Sequence, residues 1–163
     1  MCAHANSTNF FRKEDFVPSK VELMSERFIG TWKLVSVEYQ SDNEVTYPYG
    51  KDAIGYIMYS NDGYMSVSIM TSNRRRIMSM DMIGASTEEK VAAADTYFSY
   101  CGRYKVDEDK VTHLVEVSFY PNWVGEKLER FYKFEEDKLI LSTSPMIVNG
   151  KQQINYIIWE RIK

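Results

Sequence analysis

Apolar and polar residues alternate along most of this chain, and the alternation is interrupted at regular intervals by turn-forming clusters. Trp32-Lys33-Leu34-Val35-Ser36-Val37-Glu38-Tyr39 sits within a first strand, from about Thr31 to Gln40, and Ser41-Asp42-Asn43 closes it as a turn. Glu44 to Gly50 is a tyrosine-rich connection in which Pro48 limits ladder pairing. A second strand, Gly55–Tyr59, and a third, Tyr64–Met70, flank Asn61-Asp62-Gly63, which supplies the positive φ of a tight hairpin. Four more strands are predicted at Arg103–Val106, Val111–Tyr120, Lys127–Phe134 and Lys138–Thr143, and an eighth at Gln153–Ile162.

Two stretches switch to helical spacing. Ser19 with Glu22 forms a capping box before one or two turns over Lys20–Phe28. Ser86 with Glu89 forms another, and the pattern predicts a helix from Thr87 to about Tyr100, with Val91, Ala94, Tyr97 and Phe98 on a buried face and Gly102 as its stop. A helix between hairpins, preceded by the polar and methionine-bearing loop Thr71–Ala85, reads as a lid. The expected architecture is all-β: an eight-stranded antiparallel up-and-down barrel, with an N-terminal helical segment and one helix inserted between strands three and four. The expected division is an arm and short helix over 1–29 and a barrel over 30–163.

Composition narrows the function. A length of 163 residues suits one domain, which needs neither disulfide nor metal to hold a core. Twelve tyrosines, eight phenylalanines and three tryptophans suit strands that line a cavity or fill one. The net charge of -3 argues against nucleic acid, and Arg74-Arg75-Arg76 is an isolated cluster that reads as a solvated loop. Cys2 and Cys101 have no partners at metal spacing, and His4 and His113 are the only histidines, so no metal and no cofactor is expected. The first twenty residues lack the apolar core of a signal peptide, and no apolar run approaches a membrane span, so a soluble cytoplasmic protein is expected. Phe10, Phe11 and Phe16 in the arm are unusual, and they make a homodimer a candidate assembly. Phosphate loops, dinucleotide fingerprints and nucleophile elbows are absent from the sequence.

Candidate chemistry follows from which residues alternate inward. On the fifth strand Val111, His113, Val115, Val117 and Phe119 form the more apolar set, which points His113 into the barrel. Tyr104 falls opposite it, and Leu128, Arg130, Tyr132 and Phe134 form the inward set of the sixth strand. A slip of one residue inverts any of these sets and exchanges His113 for Glu116, which would pair with Arg130. His113, Arg130 and Tyr104 are therefore the candidate catalytic residues: a general acid or base, a carboxylate or enolate binder, and an oxyanion donor. Tyr132, Trp123, Glu116, Phe119 and Tyr64 are candidate ligand contacts, with the Pro121-Asn122-Trp123 turn at the barrel mouth. A core histidine satisfied by a tyrosine hydroxyl explains His113 equally well.

Gly30-x-Trp32 near the start and Trp159-Glu160-Arg161 at the end resemble the lipocalin and calycin pattern. With Tyr47-Pro48-Tyr49-Gly50, Asn61-Asp62-Gly63-Tyr64-Met65-Ser66-Val67, Val111-Thr112-His113 and Pro121-Asn122-Trp123-Val124-Gly125, the set is similar to the lipocalin-like domain family of bacterial and fungal secondary metabolism. The resemblance implies that Arg161 packs across Trp32 at the closed end, with Gly30 and Trp32 structural. It also implies an apolar or aromatic small molecule in the barrel. Two functions fit: a cofactor-independent cyclase or isomerase in natural-product biosynthesis, or a non-catalytic binder or carrier of a hydrophobic metabolite.

Overall fold

Ser19 accepts the backbone N–H of Glu22 at 3.2 Å, and the Glu22 carboxylate accepts the backbone N–H of Ser19 at 2.7 Å. This reciprocal cap starts α1 (Lys20–Phe28), whose last residue is wholly buried. The computed structural model describes residues 18–42, 44–81, 83–148 and 150–163. Cys2, His4, Phe10, Phe11 and Phe16 of the arm, with Asn43 and Met82, lie outside the described residues.

The strands follow as β1 (Gly30–Ser41), β2 (Glu44–Thr46), β3 (Ile54–Tyr59), β4 (Tyr64–Met70), β5 (Tyr97–Val106), β6 (Lys110–Ser118), β7 (Lys127–Glu135), β8 (Lys138–Ser142), β9 (Met146–Val148) and β10 (Lys151–Arg161). Every pairing is antiparallel, and β1 pairs with both β3 and β10, so eight strands close into a barrel. Closure leaves those eight strands without a free edge. The short β2 and β9 only extend hairpins at the ends of β1 and β10. Gly63, at φ +87°, turns the β3–β4 hairpin.

The inserted helix is shorter than its pattern predicts. α2 spans Thr87–Asp95 behind its Ser86–Glu89 capping box. Tyr97 and Phe98 belong instead to β5, opposite Met70 and Ile69. Rings at those positions gain cross-strand packing and ladder bonds, which outweigh their fit to the helical period. Gly102 stops no helix. It sits inside β5, where a Cβ would lie 2.0 Å from the Leu114 carbonyl oxygen. No residue of α2 is buried, and Val91 is 52% exposed.

A bulge accompanies that close approach. Cys101 pairs with Val117 but Gly102 pairs with Val115, so Glu116 is an extra residue in β6. Val111, His113 and Val115 point inward, and beyond the bulge Val117 (63% exposed) and Phe119 point outward. This corrects the inward placement expected for Phe119 and excludes the exchange of Glu116 for His113. A second bulge in β1, at Val35, carries the inward set from Trp32 and Leu34 to Val37.

Candidate functional site

The two ends of the barrel are built differently. At the closed end Phe28 meets Tyr59, Tyr132 and Phe134 edge-on, with ring centroids 5.1, 5.0 and 5.1 Å away. Trp32 donates its indole N–H to the Phe28 carbonyl at 2.8 Å. The Arg161 guanidinium lies 4.0 Å over the Trp32 ring and donates to the carbonyls of Ile29, at 2.8 Å, and Arg27. At Gly30 the φ of +128° favours glycine, and a Cβ there, 2.9 Å from Arg161 Nη1, would also displace the guanidinium. Tyr104 donates its hydroxyl to the Ser60 carbonyl, and Tyr132 donates to those of Asp107 and Glu108, each at 3.0 Å. The hydroxyls of both tyrosines thus bond to backbone carbonyls of hairpin turns.

Above this floor lies His113, 1% exposed. Its Nε2 is 2.9 Å from the Tyr59 hydroxyl and its Nδ1 2.6 Å from that of Tyr100. Burial, and then the positive charge of Arg130, depress its pKa from 6.5 to about 3. The ring is therefore neutral at physiological pH, with both nitrogens engaged. Burial pushes the Tyr100 hydroxyl up to about 12 and that of Tyr59 well above its ordinary value. The tyrosine–histidine–tyrosine chain carries no charge.

Next to Tyr100 is an internal cavity of about 80 Å³. Val37, Ile57, Val67, Ile69, Leu141 and Ile157 supply its apolar walls. Tyr49, Phe98 and Trp123 cluster around it, with centroids 6.4 Å apart for Tyr49–Phe98 and 5.2 Å for Phe98–Trp123. Tyr49 and Trp123 come from connections rather than barrel strands, Trp123 from the 3₁₀ turn Pro121–Trp123.

Besides the tyrosine hydroxyls and the Trp123 indole, Arg130, Asn155 and Trp159 bring polar groups to the lining. Arg130 donates to the Glu129 carbonyl at 2.8 Å, and no carboxylate among the described residues lies within ion-pair distance. Three buried side-chain polar atoms among the described residues lack a partner: Thr71 Oγ1, Asn155 Oδ1 and Trp159 Nε1. Two of them belong to this cavity.

Of the sequence-predicted residues, the structure brings Arg130 and Trp123 to the cavity wall and sets His113 one hydrogen bond behind it, through Tyr100. Tyr104 and Tyr132 lie below, at the closed end. Glu116, Phe119 and Tyr64 stand on the outer surface, which corrects their expected place in the cavity. Glu116 pairs with Arg103 at 2.9 Å, Phe119 packs edge-on against Tyr97, and Tyr64 lies beside Met58 and Val117. Sequence reasoning missed Tyr59, Tyr100, Asn155 and Trp159 as site residues. The alternation of Ile57 with Tyr59 contained a signal for the first. Trp159 stood out in the sequence only as the neighbour of Arg161.

The α2 segment does not line the cavity. It walls a larger open cleft of about 510 Å³ outside the barrel, with Arg75 and Arg76 on one side and Glu88 and Glu89 on the other. Arg74 serves the helix itself, donating to the Ala93 carbonyl at 3.1 Å and stacking 5.1 Å over the Tyr97 ring. Among the described residues no three His, Cys, Asp or Glu side chains gather to hold a metal ion. No helix of these residues is long and apolar enough to cross a membrane.

A family model described as a lipocalin-like domain matches residues 29–162. A 4'-hydroxy-3'-methoxypropiophenone carrier protein of Aspergillus oryzae is 30% identical over 107 residues, which is 60% of this chain and 96% of that protein. The chain belongs to the lipocalin-like domain family.

Proposed function

We propose that this member of the lipocalin-like domain family is a non-catalytic binder or carrier that holds an aromatic small molecule inside its barrel. The observation that carries this reading is the internal cavity, with aliphatic walls, an aromatic mouth and unpartnered polar atoms. The relative named as a carrier of an aryl ketone supports it. A cavity of about 80 Å³ is smaller than the roughly 150 Å³ that accepts a benzene ring, so entry requires side chains to move. Tyr49 and Trp123 are suited to this, because their connections can shift without breaking the barrel ladder.

The second reading is a cofactor-independent cyclase or isomerase. Its support is the contact of the His113–Tyr100 pair with the cavity. Against it stands a histidine with a pKa of about 3, which is a weak base and, being neutral at physiological pH, lacks the imidazolium proton of a general acid. A place in natural-product metabolism and in the cytoplasm fits either role.

The test is to titrate the protein with 4'-hydroxy-3'-methoxypropiophenone, follow tryptophan fluorescence, and then analyse the recovered ligand. A carrier gives saturable quenching at one ligand per chain and returns the compound unchanged. Turnover of an added aryl ketone by catalytic amounts of protein, lost in His113→Gln, would establish the enzyme instead.

A further inference from the structure

We propose that the molecule held in the barrel presents an acceptor oxygen on an aromatic skeleton, a carbonyl or an ionised phenol, and that Trp159, Arg130 and Tyr100 donate hydrogen bonds to it. The proposal rests on the binding role above and specifies the chemistry that the cavity selects.

The indole N–H of Trp159 is a donor and never an acceptor. The residue is 0% exposed, lines the cavity, and its Nε1 has no partner among the described residues. Only an acceptor satisfies it. Arg130 likewise has donors alone. One of its nitrogens serves the Glu129 carbonyl, and no carboxylate among the described residues neutralises its charge. An oxygen bearing full or partial negative charge suits that guanidinium.

Tyr100 becomes the third donor by elimination along the buried chain. A neutral imidazole carries one N–H and one bare nitrogen. The Tyr59 hydroxyl lies in the core, and His113 Nε2, at 2.9 Å, is its one side-chain partner. A buried hydroxyl hydrogen without an acceptor is costly, and of the two tyrosines only Tyr100 lines the cavity, where a ligand can accept, so we assign the Tyr59 proton to Nε2. His113 then carries its proton on Nδ1 and donates to the Tyr100 oxygen at 2.6 Å. The Tyr100 hydrogen is left without an acceptor among the described residues, and Tyr100 lines the cavity. His113 is therefore a positioning residue that fixes which way the Tyr100 proton faces. Asn155 Oδ1 contributes the complementary feature, an acceptor for a ligand hydroxyl.

Three donor-bearing residues lining one apolar space disfavour a plain hydrocarbon. The experiment compares propiophenone, which has the carbonyl, with propylbenzene, which has the same skeleton without it, by calorimetry on the full-length protein. The ketone is expected to bind about tenfold or more tightly, the contribution of a buried hydrogen bond to a charged or otherwise unpaired donor. Trp159→Phe and Arg130→Met are each expected to lower the ketone-to-hydrocarbon affinity ratio, each variant's propiophenone affinity being read against its own propylbenzene affinity so that any change in cavity size cancels. A measurement on the unaltered protein guards against variants that do not fold: the carbonyl stretching band of bound propiophenone should lie below its position in hexane. Equal affinities for the two probes, or a band unshifted from hexane, would overturn the donor assignment and leave the binding role standing. Failure of the protein to bind either probe or 4'-hydroxy-3'-methoxypropiophenone would remove both.

Discussion

The floor of the barrel and its cavity are made from the same kinds of residue, yet their polar groups are in opposite conditions. At the floor each polar side chain has its partner: Trp32 on the Phe28 carbonyl, Arg161 on those of Ile29 and Arg27, Tyr104 and Tyr132 on hairpin carbonyls. In the cavity Trp159 and Asn155 have unpartnered atoms, and Arg130 has no counter-ion among the described residues. Paired groups hold a structure together, whereas unpaired buried groups cost stability that only a ligand or solvent returns. A tryptophan and an arginine thus carry opposite meanings at two levels of one barrel.

The sharpest way to break this comparison is at the floor. Trp32→Ala removes a wholly packed ring and the platform of Arg161, and should cost about 3–5 kcal/mol in urea unfolding. A loss under about 1 kcal/mol would mean that the floor is not where the barrel is anchored.

His113, at the boundary between the two regions, gives the next effect through pH. Unfolded, its imidazole titrates near 6.5, and folded near 3, so acid favours the unfolded chain. Stability should be independent of this group above pH 6.5 and fall by up to about 1.4 kcal/mol per unit between roughly pH 6.5 and 3. His113→Gln should flatten that slope, and an unchanged slope would assign the acid sensitivity to the carboxylates.

At the mouth, Trp123→Ala should cost only about 1 kcal/mol, because the ring is partly exposed on a connection, yet it should speed ligand entry and release in stopped-flow measurements. Unchanged rates would move the entrance elsewhere. Smallest of all is Glu116→Gln on the outer face, where both partners of the Arg103 pair are well exposed. Thermal unfolding should change by less than about 0.5 kcal/mol.

Much of the barrel was legible in the sequence because hairpin turns and period-two alternation are local signals. Asn61-Asp62-Gly63, the Ser19–Glu22 and Ser86–Glu89 capping boxes, and the alternation of Leu128, Arg130, Tyr132 and Phe134 all depend on neighbours within a few residues. The bulge at Glu116 is a two-strand property, set by the close approach of Gly102 to Leu114, and one strand's pattern cannot reveal it. That single extra residue moved Val117 and Phe119 to the outside. Tyr97 and Phe98 fitted a helical period by chance and were drawn into β5 by Met70 and Ile69. The cavity was the least legible part. Whether Trp159 and Asn155 find partners depends on side chains from several strands arriving together, and no spacing along the chain encodes a missing hydrogen bond.

Closure of β1 against β10 has a kinetic consequence. Trp32 pairs with Arg161 and Val37 with Ile157, so the seam joins residues near opposite ends of the sequence. Contacts of such separation form late and slowly, because their loop entropy is paid before they contribute. The cavity walls straddle this seam, with Val37 and Tyr39 on one side and Asn155, Ile157 and Trp159 on the other. Until the seam zips there is no enclosed space for cargo. A small molecule held there would touch both strands of the seam, so occupancy should slow the reopening of the barrel along this one line.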